Sequence, residues 1–198
     1  MSPRRGKQAG YSLIEVLLVA ALMIVVVAKI SMSISSTTSA TGQQSVEIVL
    51  EDQARALMDR ISMAVMAADR ESLNPYDTPF YTTNLNYRIS LGVDADGNVV
   101  WDEPERILLD GAGRQIAWLK SPDELAEQRV VWTNLVRDLL QGETDNDVDD
   151  NGNGLLDEEG LNFIIDGNSV IIRLSLSRMD DEGERAICTL ESRVTCRN

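Results

Sequence analysis

An acidic segment at residues 144–160 carries the side chains best suited to chemistry. It reads TDNDVDDNGNGLLDEEG, so oxygen-bearing side chains alternate along it and glycines permit tight turns. A hard cation such as Ca²⁺ takes six or more oxygen ligands, which alternate residues of a tight loop can direct inward. The sequence therefore predicts one Ca²⁺ site in an acidic loop at 145–159. The expected ligands are Asp147, Asp149, Asn151, Asn153, Asp157 and Glu158.

Two registers of the twelve-residue calcium-loop pattern fit this segment. A loop that begins at Asp147 places Glu158 at the twelfth position but a glycine at the eighth, which is usually apolar. A loop that begins at Asp149 places a leucine at the eighth position and Gly160 at the twelfth. The flanking helices of a paired EF-hand are not evident, so we expect a single loop between elements of a folded head. The alternative is a solvated acidic turn that binds ions weakly.

The composition excludes several other kinds of site. The chain of 198 residues has no histidine, so it cannot form a Ser-His-Asp or Cys-His arrangement or a zinc site with imidazole ligands. Its net charge is −14, whereas a nucleic-acid-binding protein needs a basic face. Hydrolysis by paired carboxylates is disfavoured because the acids cluster in the metal-type loop. We therefore expect no enzyme activity, no nucleic-acid partner and no small-molecule substrate.

The N-terminus combines a basic stub with an apolar run. Residues 1–10 contain Arg4, Arg5 and Lys7 and no acid, and residues 16–28 are all apolar. The wider stretch 11–30 would form a helix about 30 Å long, which is enough to cross a bilayer. Because a basic end of this kind stays in the cytoplasm, the rest of the chain is expected on the far side of the membrane.

Glu15 does not fit a plain signal peptide, because it lies inside the apolar stretch. A carboxylate at the membrane centre costs roughly 2.5–3.5 kcal/mol on insertion scales, and less near the interface. Cleavage between Gly10 and Tyr11 would create a partner for it, a positively charged α-amino group four residues before Glu15. In a filament of staggered helices, the carboxylate of one subunit could then pair with the amine of its neighbour.

The string GYSLIEV at residues 10–16, after a short basic leader and before an apolar run, resembles the type III signal of type IV pilins and pseudopilins. In that family a membrane-bound prepilin peptidase cuts after the glycine and methylates the new N-terminus. The resemblance implies that residues 1–10 are a leader removed after Gly10, that Tyr11 is N-methylated and that Glu15 is the assembly carboxylate. The usual first mature residue of the family is Phe, from which Tyr11 departs mildly. The alternatives are an uncleaved signal anchor and an ordinary signal peptide cleaved near residues 36–40.

The remaining pattern predicts an α+β fold. Apolar residues at three- and four-residue spacing run from 43 to 69, so one long helix is expected over 11–69. Residues 11–30 would be its transmembrane part, and the Ser- and Thr-rich residues 31–42 would soften it. Beyond residue 70, short apolar segments separated by Gly- and Asp-containing turns predict a mostly antiparallel β-rich head over 70–198. The pilin resemblance implies the same fold, with a sheet packed on the C-terminal half of the first helix.

Individual elements of the head are also predicted. A serine, a proline and a glutamate at Ser121, Pro122 and Glu124 predict the start of a short helix. Residues 130–140 fit either a strand or a helix. Strands are expected at 87–91, 99–101, 107–109, 116–119, 161–165, 170–177 and 185–194.

The two cysteines, Cys188 and Cys196, allow at most one internal disulfide. In one straight strand they would lie roughly 26 Å apart, whereas a disulfide requires α-carbons within about 7 Å. Either the chain turns sharply after Leu190 or the thiols are unpaired. An exported head favours pairing, and the resemblance also favours it, because many pilins close a C-terminal loop with a bridge.

The resemblance implies a structural role. The length of the head is typical of a minor subunit, and residues 189–198 loosely resemble the tails of J-type minor pseudopilins and W-type minor pilins. Such a subunit is inserted, near the tip, into a type IV pilus or a type II secretion pseudopilus. Its partners would be other pilin or pseudopilin subunits, the prepilin peptidase and the inner membrane, with its head on the periplasmic side. The alternative is a single-pass membrane-anchored binding protein or adhesin that depends on calcium.

Overall fold

The computed structural model describes residues 12–75, 81–111, 114–180 and 183–196, and the side chains of 34–43 lie outside that description. Within this part of the chain, one long helix precedes nine strands that pair antiparallel in three sheets. The fold is therefore α+β, as predicted. The chain divides into two compact units, residues 1–44 and 45–198, which are described separately.

Helix α1 spans Leu13–Ala67, close to the predicted 11–69. Its helical backbone continues through the Ser- and Thr-rich residues 31–42. In the first unit, Leu13–Ser33 is exposed and is long and apolar enough to span a membrane. In the second unit, six of the apolar residues at three- and four-residue spacing are buried, as a helix with one core-facing stripe requires. They are Leu50, Ala54, Leu57, Met58, Ile61 and Val65.

The strands of the second unit form one four-stranded sheet, one hairpin and one three-stranded sheet. In spatial order, the first sheet contains β1 (Asn84–Tyr87), β4 (Glu105–Asp110), β5 (Gln115–Lys120) and β6 (Gln128–Thr133). The hairpin pairs β2 (Ser90–Val93) with β3 (Val99–Trp101). The third sheet contains β7 (Leu161–Asp166), β8 (Ser169–Met179) and β9 (Arg185–Thr195).

The third sheet supplies much of the core. Alternate residues of β8 are buried, as the sequence pattern of 170–177 predicts. They share one core cluster with Phe163 of β7, Tyr87 of β1 and the buried face of α1. Thr82 and Phe163 exchange backbone hydrogen bonds of 2.9 and 2.8 Å, which link the chain before β1 to β7.

The structure divides one predicted strand and resolves one open alternative. The expected strand at 87–91 is divided, because β1 ends at Tyr87 and β2 begins at Ser90. The ambiguous stretch 130–140 is strand up to Thr133 and then continues as irregular backbone.

The short helix predicted to begin at Ser121 is wrong, since residues 121–127 contain turns instead. Ser121 and Asp123 have φ values of 50° and 67°, which a right-handed helix cannot accommodate. The Ser121 hydroxyl, expected to cap the helix, donates to Oε2 of Glu103 at 2.9 Å. Nη2 of Arg106 holds Oδ2 of Asp123 at 2.7 Å. Contacts with residues distant in sequence thus override the local helix signal.

Candidate functional site

Glu15 lies in the first turn of α1 and is exposed. Its backbone N–H donates to the carbonyl of Ser12 at 3.0 Å. A negative charge is favourable near a helix N-terminus, but the neighbouring side chains of Leu13 and Val16 are apolar and exposed. The predicted cleavage and methylation residues, Gly10 and Tyr11, lie outside the described residues.

A short antiparallel bridge closes the base of the acidic loop. Leu139 pairs with Glu159, and the N–H of Leu140 donates to the carbonyl of Glu158 at 2.7 Å. Just before this bridge, the N–H of Arg137 donates to a carbonyl of β8 at 3.0 Å. The two ends of the acidic loop are therefore held together, and they lie beside the third sheet.

Asp149 organises the turn at the tip of the acidic loop. Its Oδ1 accepts hydrogen bonds from the N–H groups of Gly152 (2.6 Å) and Asn153 (3.1 Å), and its Oδ2 accepts one from Gly154 (2.7 Å). These bonds, above all that from Gly154, hold the pKa of the Asp149 carboxyl below its usual value. Gly152 and Gly154 have φ values of 77° and 90°, which favour glycine.

Three of the predicted ligands meet at the carboxylate of Glu158, which is fully buried. Its Oε2 accepts hydrogen bonds from the side-chain amides of Asn151, at 3.2 Å, and Asn153. Its Oε1 accepts one from Nη1 of Arg173 on β8 at 2.5 Å. Nε of the same arginine donates to Oε2 of Glu191 at 2.8 Å. The guanidinium of Arg173 thus binds the acidic loop to the third sheet.

The structure does not gather the other three predicted ligands around Glu158. The carboxylate of Asp149 accepts the backbone hydrogen bonds of the turn at the tip of the loop, and Asp147 is exposed. The carboxylate of Asp157 accepts hydrogen bonds from the backbone N–H groups of Asn146 (3.0 Å) and Asp147 (2.8 Å). Among the residues that the structure describes, no three His, Cys, Asp or Glu side chains form a metal-binding group.

Glu143 lies against the acidic loop although the sequence pattern does not include it. Its Oε1 accepts a hydrogen bond from the backbone N–H of Asn151 at 3.2 Å. The residue is 7% exposed, and its Oε2 is buried without a hydrogen-bond partner. Gly142, with a φ of 101°, turns the chain just before it. Both registers of the twelve-residue pattern begin at Asp147 or later, so the sequence prediction does not include Glu143.

The two cysteines are free thiols in the structure. Strand β9 is unbroken from Arg185 to Thr195, so the chain does not turn sharply after Leu190. Cys188 pairs with Leu176, near the C-terminal end of β8. The N–H of Cys196 donates to the carbonyl of Asn168, the residue just before the N-terminal end of β8. The suggested disulfide between Cys188 and Cys196 is therefore absent, because an extended strand separates the thiols.

Two features of the described residues are candidates for a functional site. One is the apolar, exposed helix stretch with Glu15 in its first turn. The other is the pair of buried carboxylates, Glu143 and Glu158, beside the amides of an oxygen-rich loop, a donor set that suits hard cations. A scan against protein-family models and searches of curated proteins and of solved structures found no match to this chain.

Proposed function

We propose that this protein is a structural subunit of a type IV pilus-like filament, a minor pilin or pseudopilin of a pilus or type II secretion system. The observation that carries the proposal is the position of Glu15 in the first turn of a helix whose stretch Leu13–Ser33 is apolar and exposed. Such a stretch needs lipid or other helices around it, and a charge within it needs a partner.

Removal of the leader would supply that partner. Cleavage after Gly10 leaves an α-amino group at Tyr11, which is protonated at neutral pH. In lipid, that amine and the Glu15 carboxylate are each costly alone, so staggered helices that pair them across subunits are favoured. The same contact would fix the axial offset between neighbouring subunits.

The second unit is the proposed periplasmic head. It contains a helix with one buried stripe and antiparallel sheets that share a core with it, which supports a pilin-like arrangement. The apolar stretch of the first unit would anchor the subunit in the inner membrane before assembly. The peptidase and the other filament subunits are the partners that this role requires.

The first test concerns processing. When the full chain is co-expressed with a prepilin peptidase, the purified protein should begin at Tyr11 and carry one added methyl group by intact-mass analysis. Without the peptidase, or with Gly10→Val, residues 1–10 should remain. A leader retained in the presence of active peptidase would overturn the proposal and favour the membrane-anchored binding protein.

The second test concerns assembly. Glu15→Ala should remain membrane-inserted and processed, because removing a carboxylate from an apolar helix makes insertion easier. Its amount in sheared filaments should fall at least about tenfold, which needs a loss of only about 1.4 kcal/mol per contact. Glu47→Ala, an exposed position of α1 in the second unit, should assemble normally. Normal incorporation of Glu15→Ala would contradict the role of this carboxylate.

A further inference from the structure

We propose that Glu143 and Glu158, with the side-chain amides of Asn151 and Asn153, bind one hard divalent cation, and that Ca²⁺ is the ion. This ligand set differs from the one expected from sequence. It adds Glu143 and omits the three aspartates that the structure engages elsewhere or leaves exposed. The site is independent of the filament role, because it uses only residues of the second unit.

The proposed site contains two buried carboxylates. Glu143 and Glu158 are 7% and 0% exposed. An ionised carboxylate removed from water needs a compensating charge. Glu158 shares the guanidinium of Arg173 with Glu191, and among the described residues no Lys or Arg forms an ion pair with Glu143. A cation between the two carboxylates would supply the missing charge.

The unpartnered Oε2 of Glu143 belongs to a carboxylate that is linked to Glu158 through Asn151. Asn151 touches both carboxylates, through its backbone N–H on Glu143 (3.2 Å) and its side-chain amide on Glu158 (3.2 Å). One residue therefore separates the two acids. Glu143 precedes the predicted calcium-loop segment 145–159 in sequence, and the chain turns at residue 142 just before it.

The two asparagines supply neutral oxygen atoms. Oδ1 of Asn151 accepts the N–H of Asn153 at 3.1 Å, and Oδ1 of Asn153 accepts the N–H of Leu155 at 2.9 Å. An amide oxygen has two lone pairs, so each keeps one available for a cation. On binding, the cation would replace the two amide donors at Oε2 of Glu158.

The donor chemistry selects the ion. Carboxylate and amide oxygens suit Ca²⁺, Mg²⁺ and Mn²⁺, whereas copper and zinc favour the nitrogen and sulfur ligands that this group lacks. Mg²⁺ demands nearly ideal octahedral geometry, while Ca²⁺ accepts six to eight oxygens in irregular arrangements completed by water. An irregular set of two carboxylates and two amides therefore favours Ca²⁺.

The binding test uses the full chain in detergent micelles. The hydroxyl of Tyr81 donates to the carbonyl of Asp157 at 2.9 Å, so its ring lies beside the loop and can sensitise bound Tb³⁺. We expect saturable Tb³⁺ luminescence that Ca²⁺ displaces, and a higher melting temperature in Ca²⁺ than in EGTA. Absence of both effects at millimolar Ca²⁺ would overturn the site without affecting leader processing.

Two variants separate the proposed ligands from the sequence pattern. Glu143→Gln can keep the bond to the Asn151 N–H but loses the charge, so Ca²⁺ affinity should fall at least about tenfold. In EGTA this variant should melt no lower than wild type, because an uncompensated buried charge has been removed. Asp147→Asn should change the affinity by less than about twofold. The reverse pattern, with Asp147→Asn weakening binding and Glu143→Gln not, would overturn the proposal.

Discussion

Arg173→Met should lower the free energy of unfolding by about 3–5 kcal/mol, the usual loss when one partner of a buried ion pair is removed. Nη1 of Arg173 lies 2.5 Å from Oε1 of Glu158, and their side chains are 14% and 0% exposed. Methionine fills part of the space but leaves the Glu158 carboxylate with neutral amide donors alone. The acidic loop should consequently detach from the third sheet before the core unfolds.

The loss is measured by urea unfolding of the full chain in detergent and EGTA, so that no cation can replace the guanidinium. Tryptophan fluorescence reports on the second unit, since Trp101, Trp118 and Trp132 all lie in its strands. Arg193→Met is the matched control. It breaks a 2.7 Å pair with Asp166 whose side chains are 57% and 65% exposed, so it should cost less than about 1 kcal/mol.

A double variant tests the cause of the loss. Arg173→Met combined with Glu158→Gln should recover most of the stability, because the stranded charge is then also removed. If Arg173→Met and Arg193→Met cost the same, the buried pair would not have the importance assigned to it.

Gly160→Ala should cost roughly 3 kcal/mol, at the upper end of the range for overpacking. A Cβ on Gly160 would lie 2.2 Å from the carbonyl oxygen of Arg137 and 3.0 Å from Cγ1 of Val136. The first contact is with backbone, so a side-chain rotation cannot relieve it. One of the two backbone segments must therefore move, which strains the 2.7 Å bond from the Ser175 N–H to the Gly160 carbonyl.

Gly111→Ala is the control for this substitution. A Cβ on Gly111 would meet nothing within 4 Å, and no left-handed backbone conformation is required there. Its effect on the same urea curves should stay within about 0.5 kcal/mol. Equal stability of Gly160→Ala and Gly111→Ala would contradict the close approach of the two backbones.

The sequence predicts those helices and strands in which apolar residues recur at regular spacing over many positions. Helix α1 follows from three- and four-residue spacing, and β8 follows from apolar residues at alternate positions, which are buried. The predicted helix at Ser121 fails because its signal consists of only three residues, whereas Glu103 and Arg106 bind Ser121 and Asp123 from a distance. Local propensity is a weak prior against such contacts.

The sequence likewise predicts some residues of the candidate site and misses others. The spacing of the calcium-loop pattern singles out Asn151, Asn153 and Glu158, which the structure brings together. The sequence does not predict Glu143 and Arg173 as site residues. They meet the loop only through a reversal of the chain and the pairing of β7 with β8, and neither is encoded in a short window.

The bridge between Leu139 and Glu159 gives the acidic loop a modular character. The chain leaves and re-enters the scaffold at one ladder position, so the entropy cost of closing a longer insert would grow only logarithmically with its length. Shorter or longer inserts that keep the pair of Glu158 with Arg173 could occupy this place without altering the strands beneath. This corner of the domain can therefore diversify in evolution, or accept a grafted peptide, while the surrounding architecture stays constant.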